Sequence, residues 1–218
     1  QASLLRDLRE GWAEFTSHTW LWATTAQFCV VLAAWYGAFD VLGPVVARRE
    51  LGGPAAWGAI MAADAVGLII GGLAALRFTP RRPIRFVVLI GGACAISPLA
   101  LAAPWPLPAV CAAAVVLGIA IEIMMVQWMV TLARHIPPDR LARVSSYDVL
   151  GSVLAMPAGA LVAGPLAARI GVPATEYGAA VLILVASLLA LAPREVRALR
   201  SSQTPRSEAE IPRVMAGS

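Results

Sequence analysis

Apolar residues do not alternate along this chain; they run in six blocks, residues 20–46, 55–76, 84–103, 108–132, 149–168 and 173–192, separated by short polar gaps. Each block approaches the roughly 20 residues that a helix rising about 1.5 Å per residue needs to cover about 30 Å of hydrocarbon. Barrel strands would appear as segments of about ten alternating residues, whereas residues 109–121 are apolar on every face. The pattern predicts an all-α membrane protein with six transmembrane helices. A soluble domain that buries these runs as core helices is the weaker reading for six in succession.

Charge then sets the orientation. The basic residues are all arginine. With the start of the chain in the cytoplasm, the inner gaps hold Arg6, Arg9, Arg77, Arg81, Arg82, Arg85, Arg134, Arg140, Arg143, Arg194, Arg197, Arg200, Arg206 and Arg213. Only Arg48, Arg49 and Arg169 fall outside. Such a bias over short loops predicts both termini in the cytoplasm and the plasma membrane as the location. Trp20 and Trp22 at the inner boundary, with Trp57 and Trp105 at the outer one, fit aromatic belts. The net charge of +4 thus reads as a topology signal and an attraction to anionic lipid, with no nucleic-acid partner implied. Cys29, Cys94 and Cys111 all lie inside spans as small apolar residues, and neither disulfide nor metal spacing is present.

The ends differ from the middle. Leu4, Leu5, Leu8, Trp12 and Phe15 recur at helical spacing among Arg6, Asp7, Arg9, Glu10 and Glu14, which predicts an amphipathic linker helix on the inner surface over residues 1–18. The acids, and the lack of a cleavage site, argue against a signal peptide. A start on Gln1 without methionine points to a piece of a longer protein. The six-helix domain spans 19–193; residues 194–218, rich in Arg, Ser, Glu and Pro, read as a disordered cytoplasmic tail.

Two loops carry a family resemblance. Gly71-Gly72-Leu73-Ala74-Ala75-Leu76-Arg77-Phe78-Thr79-Pro80-Arg81-Arg82-Pro83 resembles the glycine-then-arginine signature of the major facilitator superfamily, with Leu76 where the signature has an acid. Pro137-Pro138-Asp139-Arg140-Leu141-Ala142-Arg143-Val144-Ser145-Ser146-Tyr147-Asp148 resembles that family's inner loop between its tenth and eleventh helices. The following Gly151, Pro157, Gly159, Gly164 and Pro165 are similar to the glycine- and proline-rich helix of its exporters. The resemblance implies a chain forming the C-terminal six-helix half of a twelve-helix transporter. An N-terminal six-helix half would be its partner, and the two would rock about a midplane site.

Charges retained inside a bilayer are functional candidates by default. Glu122 lies near the middle of the fourth span, and Gly118, Glu122, Met125 and Met129 share a helix face. Flexible thioethers around one carboxylate suit a cavity for varied lipophilic, even cationic, molecules; a protonated carboxyl bonded to a neighbouring helix is the alternative. Asp64 shares a face with Gly67 and Gly71, a narrow strip for close helix approach, and is either a proton-binding group or an interhelical partner. Gln27 with Thr24, Trp35 with Tyr36, and Gln127 with Trp128 add polar and stacking surface, packing being the plainer account. Asp40, nearer the outer end, is open to hydration or to pairing with Arg48 or Arg49. Arg77, Arg81, Arg82, Arg143 and Asp148 form a candidate inner gate, with Asp148 starting the fifth span as a helix-end acid or pairing with Arg77 or Arg81.

His18 and His135 lie in separate segments without a second ligand, so no catalytic constellation emerges. No nucleotide-binding motif and no cofactor spacing is present. The substrate and proton pathway is thus placed on Glu122, Asp64, Met125, Met129, Gln27, Gln127 and Trp128. The expected activity is export of small lipophilic compounds by proton antiport. Uptake, siderophore export or a non-transporting membrane partner are the alternatives. Arginine-only basic usage with abundant Ala, Gly and Pro suggests a GC-rich bacterial source.

Overall fold

The computed structural model describes residues 11–13, 15–103 and 105–199. Among them six helices are long and apolar enough to cross a membrane, at Thr19–Glu50, Pro54–Ala75, Pro83–Ala102, Leu107–His135, Arg140–Ile170 and Val172–Ala190, and no strand occurs. We call these the first to sixth spans, and the arginine-rich side inner. Two spans are interrupted. The first changes register over a π-helical stretch, Tyr36–Leu42, and the third turns at Cys94–Ala95 between Pro83–Ala93 and Ile96–Ala102. Outer connections are short because glycine supplies left-handed backbone there: Gly52 and Gly53 at φ 100°, and Gly171 alone, at φ 89°, between the fifth and sixth spans.

The fifth helix departs from expectation. It begins at Pro138, well before Val149, with Pro at its first turn. The polar stretch Arg140 to Asp148 therefore extends the helix and is no loop. Its apolar positions explain this, since Val144 is fully buried in the inner core and Leu141 packs against it. The start of the chain joins the same place. Residues 11–13 and 15–17 are helical, and Trp12 and Phe15 set their rings 5.5 and 5.9 Å from Tyr147. Phe15 is thus buried against protein; Leu4, Leu5, Leu8, Arg6, Asp7, Arg9, Glu10 and Glu14 lie outside the described residues. At the other end the expected tail starts as a short helix, Arg194–Ala198, because Val196 finds a fully buried place in the inner core. Residues 200–218 lie outside the described residues.

Packing follows a repeated plan. The second span lies on the fourth, and the first on the fifth; the third and sixth pack on each other, with the third also on the fourth and the sixth on the first. The contacts between spans one to three and spans four to six thus correspond: second on fourth answers first on fifth, and third on fourth answers first on sixth. Three spans per unit make the two units antiparallel, an inverted repeat. Lipid supplies no hydrophobic drive between helices, so close backbone approach carries the packing. A Cβ on Gly67 would strike the Val115 carbonyl, one on Gly118 the Asp64 carbonyl, and one on Gly159 the Ala33 carbonyl.

Trp20 is an interior residue and not part of a belt. It is 4% exposed and meets the rings of Trp128 and His135 edge-on at 6.1 and 5.9 Å. Trp22 and Trp105 are exposed.

Candidate functional site

Three groups of polar residues occupy the membrane-spanning part, and they differ in how their hydrogen bonds are met. The first is built on Asp148, now deep in a helix that begins at Pro138, so it caps no helix end. Thr25 Oγ1 donates to its Oδ1 at 3.0 Å and Trp128 Nε1 donates to its Oδ2 at 2.9 Å. The carboxylate joins the first, fourth and fifth spans, and neither Arg77 nor Arg81 reaches it. Arg77, Arg81, Arg82 and Arg143 are exposed at the inner surface, whereas Asp148 is partly buried with Thr25 and Trp128. Thr25, absent from the sequence candidates, had no local signal: its partner is 123 positions away.

The second group ties spans together through amides. Gln27 Nε2 donates to the Val88 carbonyl at 3.0 Å and to Ser187 Oγ at 2.8 Å, linking the first, third and sixth spans. Gln127 Nε2 donates to the Phe78 carbonyl at 2.6 Å and holds the glycine-arginine loop on the fourth span. Both amides are buried, as is the Trp128 ring. Thr24 turns its hydroxyl to the Trp20 carbonyl of its own helix, and Trp35 stacks on Phe39 at 5.7 Å.

The third group has carboxyls that no hydrogen bond or ion pair among the described residues engages. Glu122 is half-buried beside the second span. A Cβ on Gly71 would sit 3.0 Å from its Cβ, and one on Gly72 3.9 Å from its Oε1, so the glycine pair makes room for the carboxyl. Met125 and Met129 are exposed at 46% and 58%, while Gly118 turns into the second span. Asp64 keeps one oxygen buried without a partner. Asp40 lies in the π-helical stretch, away from the outer end, with no ion pair to Arg48 or Arg49; it is near enough to Asp64 for the two carboxyls to interact.

One buried acid had been passed over. Glu176, in the second turn of the sixth span, is fully enclosed and both its oxygens lack a partner. A signal for it existed: Glu176, Ala180, Ile183 and Ser187 recur at helical spacing and form the inward stripe.

A half-buried carboxyl followed on the same helix by two exposed thioethers, inside a six-span bundle, is chemistry suited to binding and moving a solute. No curated protein and no solved structure gives a significant match to the chain. The family model of the Major Facilitator Superfamily, by contrast, matches residues 24–215, nearly the whole sequence, and the chain belongs to that superfamily of secondary transporters.

Proposed function

We propose that this chain is the C-terminal half of an exporter that expels small lipophilic compounds in exchange for protons, with the N-terminal half closing the pathway over it. The observation that supports this reading most is on the fourth span. Glu122, half-buried against Gly71 and Gly72, has no hydrogen-bond partner among the described residues, and Met125 and Met129, one and two turns on, expose flexible thioethers that adapt to ligands of different shape. A carboxyl that holds either a proton or a cationic substrate couples the two by competition, since each displaces the other. Asp64, with its partnerless oxygen, is a second acid on the proton path. Gln27, Gln127 and Trp128 act as ties that keep the pathway walls in register. Arg77, Arg81, Arg82 and Arg143 form the inner rim, facing anionic lipid on the cytoplasmic side of the plasma membrane.

The test is efflux of a fluorescent lipophilic cation from cells expressing the full-length protein, with Glu122→Gln at matched membrane abundance. Energised efflux that stops when the proton gradient is collapsed, and that the substitution abolishes, supports the reading. Efflux unchanged by Glu122→Gln removes this residue from the pathway; no efflux from the parent protein directs attention to a narrow substrate or a non-transporting role.

A further inference from the structure

The sixth span shows in one helix how this interior treats polar groups. Ser187 accepts from Gln27 and donates to the Ile183 carbonyl at 2.9 Å. Glu176, on the same inward stripe, has neither donor nor acceptor at either oxygen, and none of its surface is exposed. The elements that pack on this helix are the first span with its π-helical stretch, both halves of the third span and the fifth span. They bring the titratable groups Cys29, Tyr36, Asp40, Arg85, Cys94, Arg140, Arg143, Tyr147, Asp148 and Arg169. No hydrogen bond reaches either oxygen of Glu176 from any of them. Enclosure without water or a partner penalises a carboxylate far more than a neutral acid.

We propose that Glu176 is a proton-binding site of this protein, filled in the conformation described here and emptied only when the outer end of the sixth span parts from the first and third. In the open conformation water reaches the side chain, the acid gives its proton to that water, and the carboxylate is hydrated. On closure a proton from the outer aqueous phase returns to the carboxylate, and the neutral acid is enclosed again. The wall most able to shift is the stretch Tyr36–Leu42, which packs on the sixth span and departs from α-helical register, as helices often do at functional sites. This site is separate from Glu122, and its existence does not depend on what is transported or in which direction.

Infrared spectroscopy of the full-length protein in liposomes, without substrate, tests the site directly. Between about pH 5 and 8, above the ordinary glutamate value of about 4.3, the carbonyl stretch of a neutral carboxylic acid is expected to persist. Isotope labelling of glutamate side chains is expected to move the band. Glu176→Gln is expected to abolish it, while Glu122→Gln and Asp148→Asn leave it in place. If Glu176→Gln proves unfolded, Glu176→Asp serves, with a displaced band as the expected result. Absence of the band across that range, its survival in Glu176→Gln, or its loss in Glu122→Gln instead would overturn the proposal. A protein that exports nothing yet shows the band would sink the exporter reading alone.

Discussion

Where the first span crosses the fifth, Gly159 lies on the Ala33 carbonyl and a Cβ on Gly37 would come within 2.8 Å of the Gly159 carbonyl. Where the second crosses the fourth, Gly67 lies on Val115 and Gly118 on the Asp64 carbonyl. The two crossings are the same device in the two repeats, yet they hold acids in opposite ways. Asp148, at the first crossing, has a donor on each oxygen. Glu122 and Asp64, at the second, lie against glycine and backbone and gain no donor on their carboxyls. Shared backbone packing therefore shapes both crossings, while the side chains laid over it separate a joint with both oxygens satisfied from acids without a donor.

The packing half of that comparison is the easiest to break. Gly159→Ala and Gly67→Ala each drive a methyl group into a backbone carbonyl, which cannot move aside as a side chain can. Each is expected to destabilise by about 1–3 kcal/mol, read as a lowered thermal unfolding midpoint of the purified protein in detergent. Gly58→Ala and Gly164→Ala, whose added methyl meets nothing within 4 Å, are expected to stabilise by up to about 1 kcal/mol through helix propensity. Tolerance of Gly159→Ala alongside failure of Gly67→Ala would mean that the two crossings are not equivalent.

Next in size is the joint itself. Asp148→Leu leaves the Trp128 indole N–H buried without an acceptor, and a loss of about 1–3 kcal/mol is expected. Thr25→Val removes one interhelical hydrogen bond and should lower stability by about 0.6 kcal/mol, the average for such bonds in membranes. A double-mutant cycle between the two positions separates the shared bond from local packing. Additive effects would show that Thr25 and Asp148 do not act on each other.

How far these features could be read from residues alone depended on the range of the interaction. Six spans and the close approach at Gly67 and Gly71 are consequences of local composition, and the structure bears them out. The fifth helix was misjudged at its inner end because polarity was equated with loop: Arg140, Arg143 and Ser146 are the solvent side of an amphipathic turn whose other side is Leu141 and Val144. The partners of Asp148 were illegible for a different reason. Asp148 and Arg77 have complementary charge, but which groups meet depends on helix rotation set by glycines far away in sequence. Glu176 was legible as a position on the inward stripe, yet its complete enclosure depends on which distant helices pack over the sixth span, here the first, the third and the fifth.

The smallest expected change in stability belongs to the residue with the largest proposed role. Glu122→Gln keeps the side chain's size, breaks no hydrogen bond among the described residues, and exchanges a titratable group for a fixed amide, so the unfolding midpoint should hold within about 0.5 kcal/mol. Efflux should nevertheless vanish, because an amide neither releases a proton to the gradient nor attracts a cation. Met125→Ala and Met129→Ala, on exposed side chains, should likewise spare stability and weaken apparent affinity unequally across lipophilic substrates, since each loses different contacts with a thioether. Stability and transport that fall together in Glu122→Gln would reclassify this acid as a second joint like Asp148, and the contrast between the two crossings would be lost.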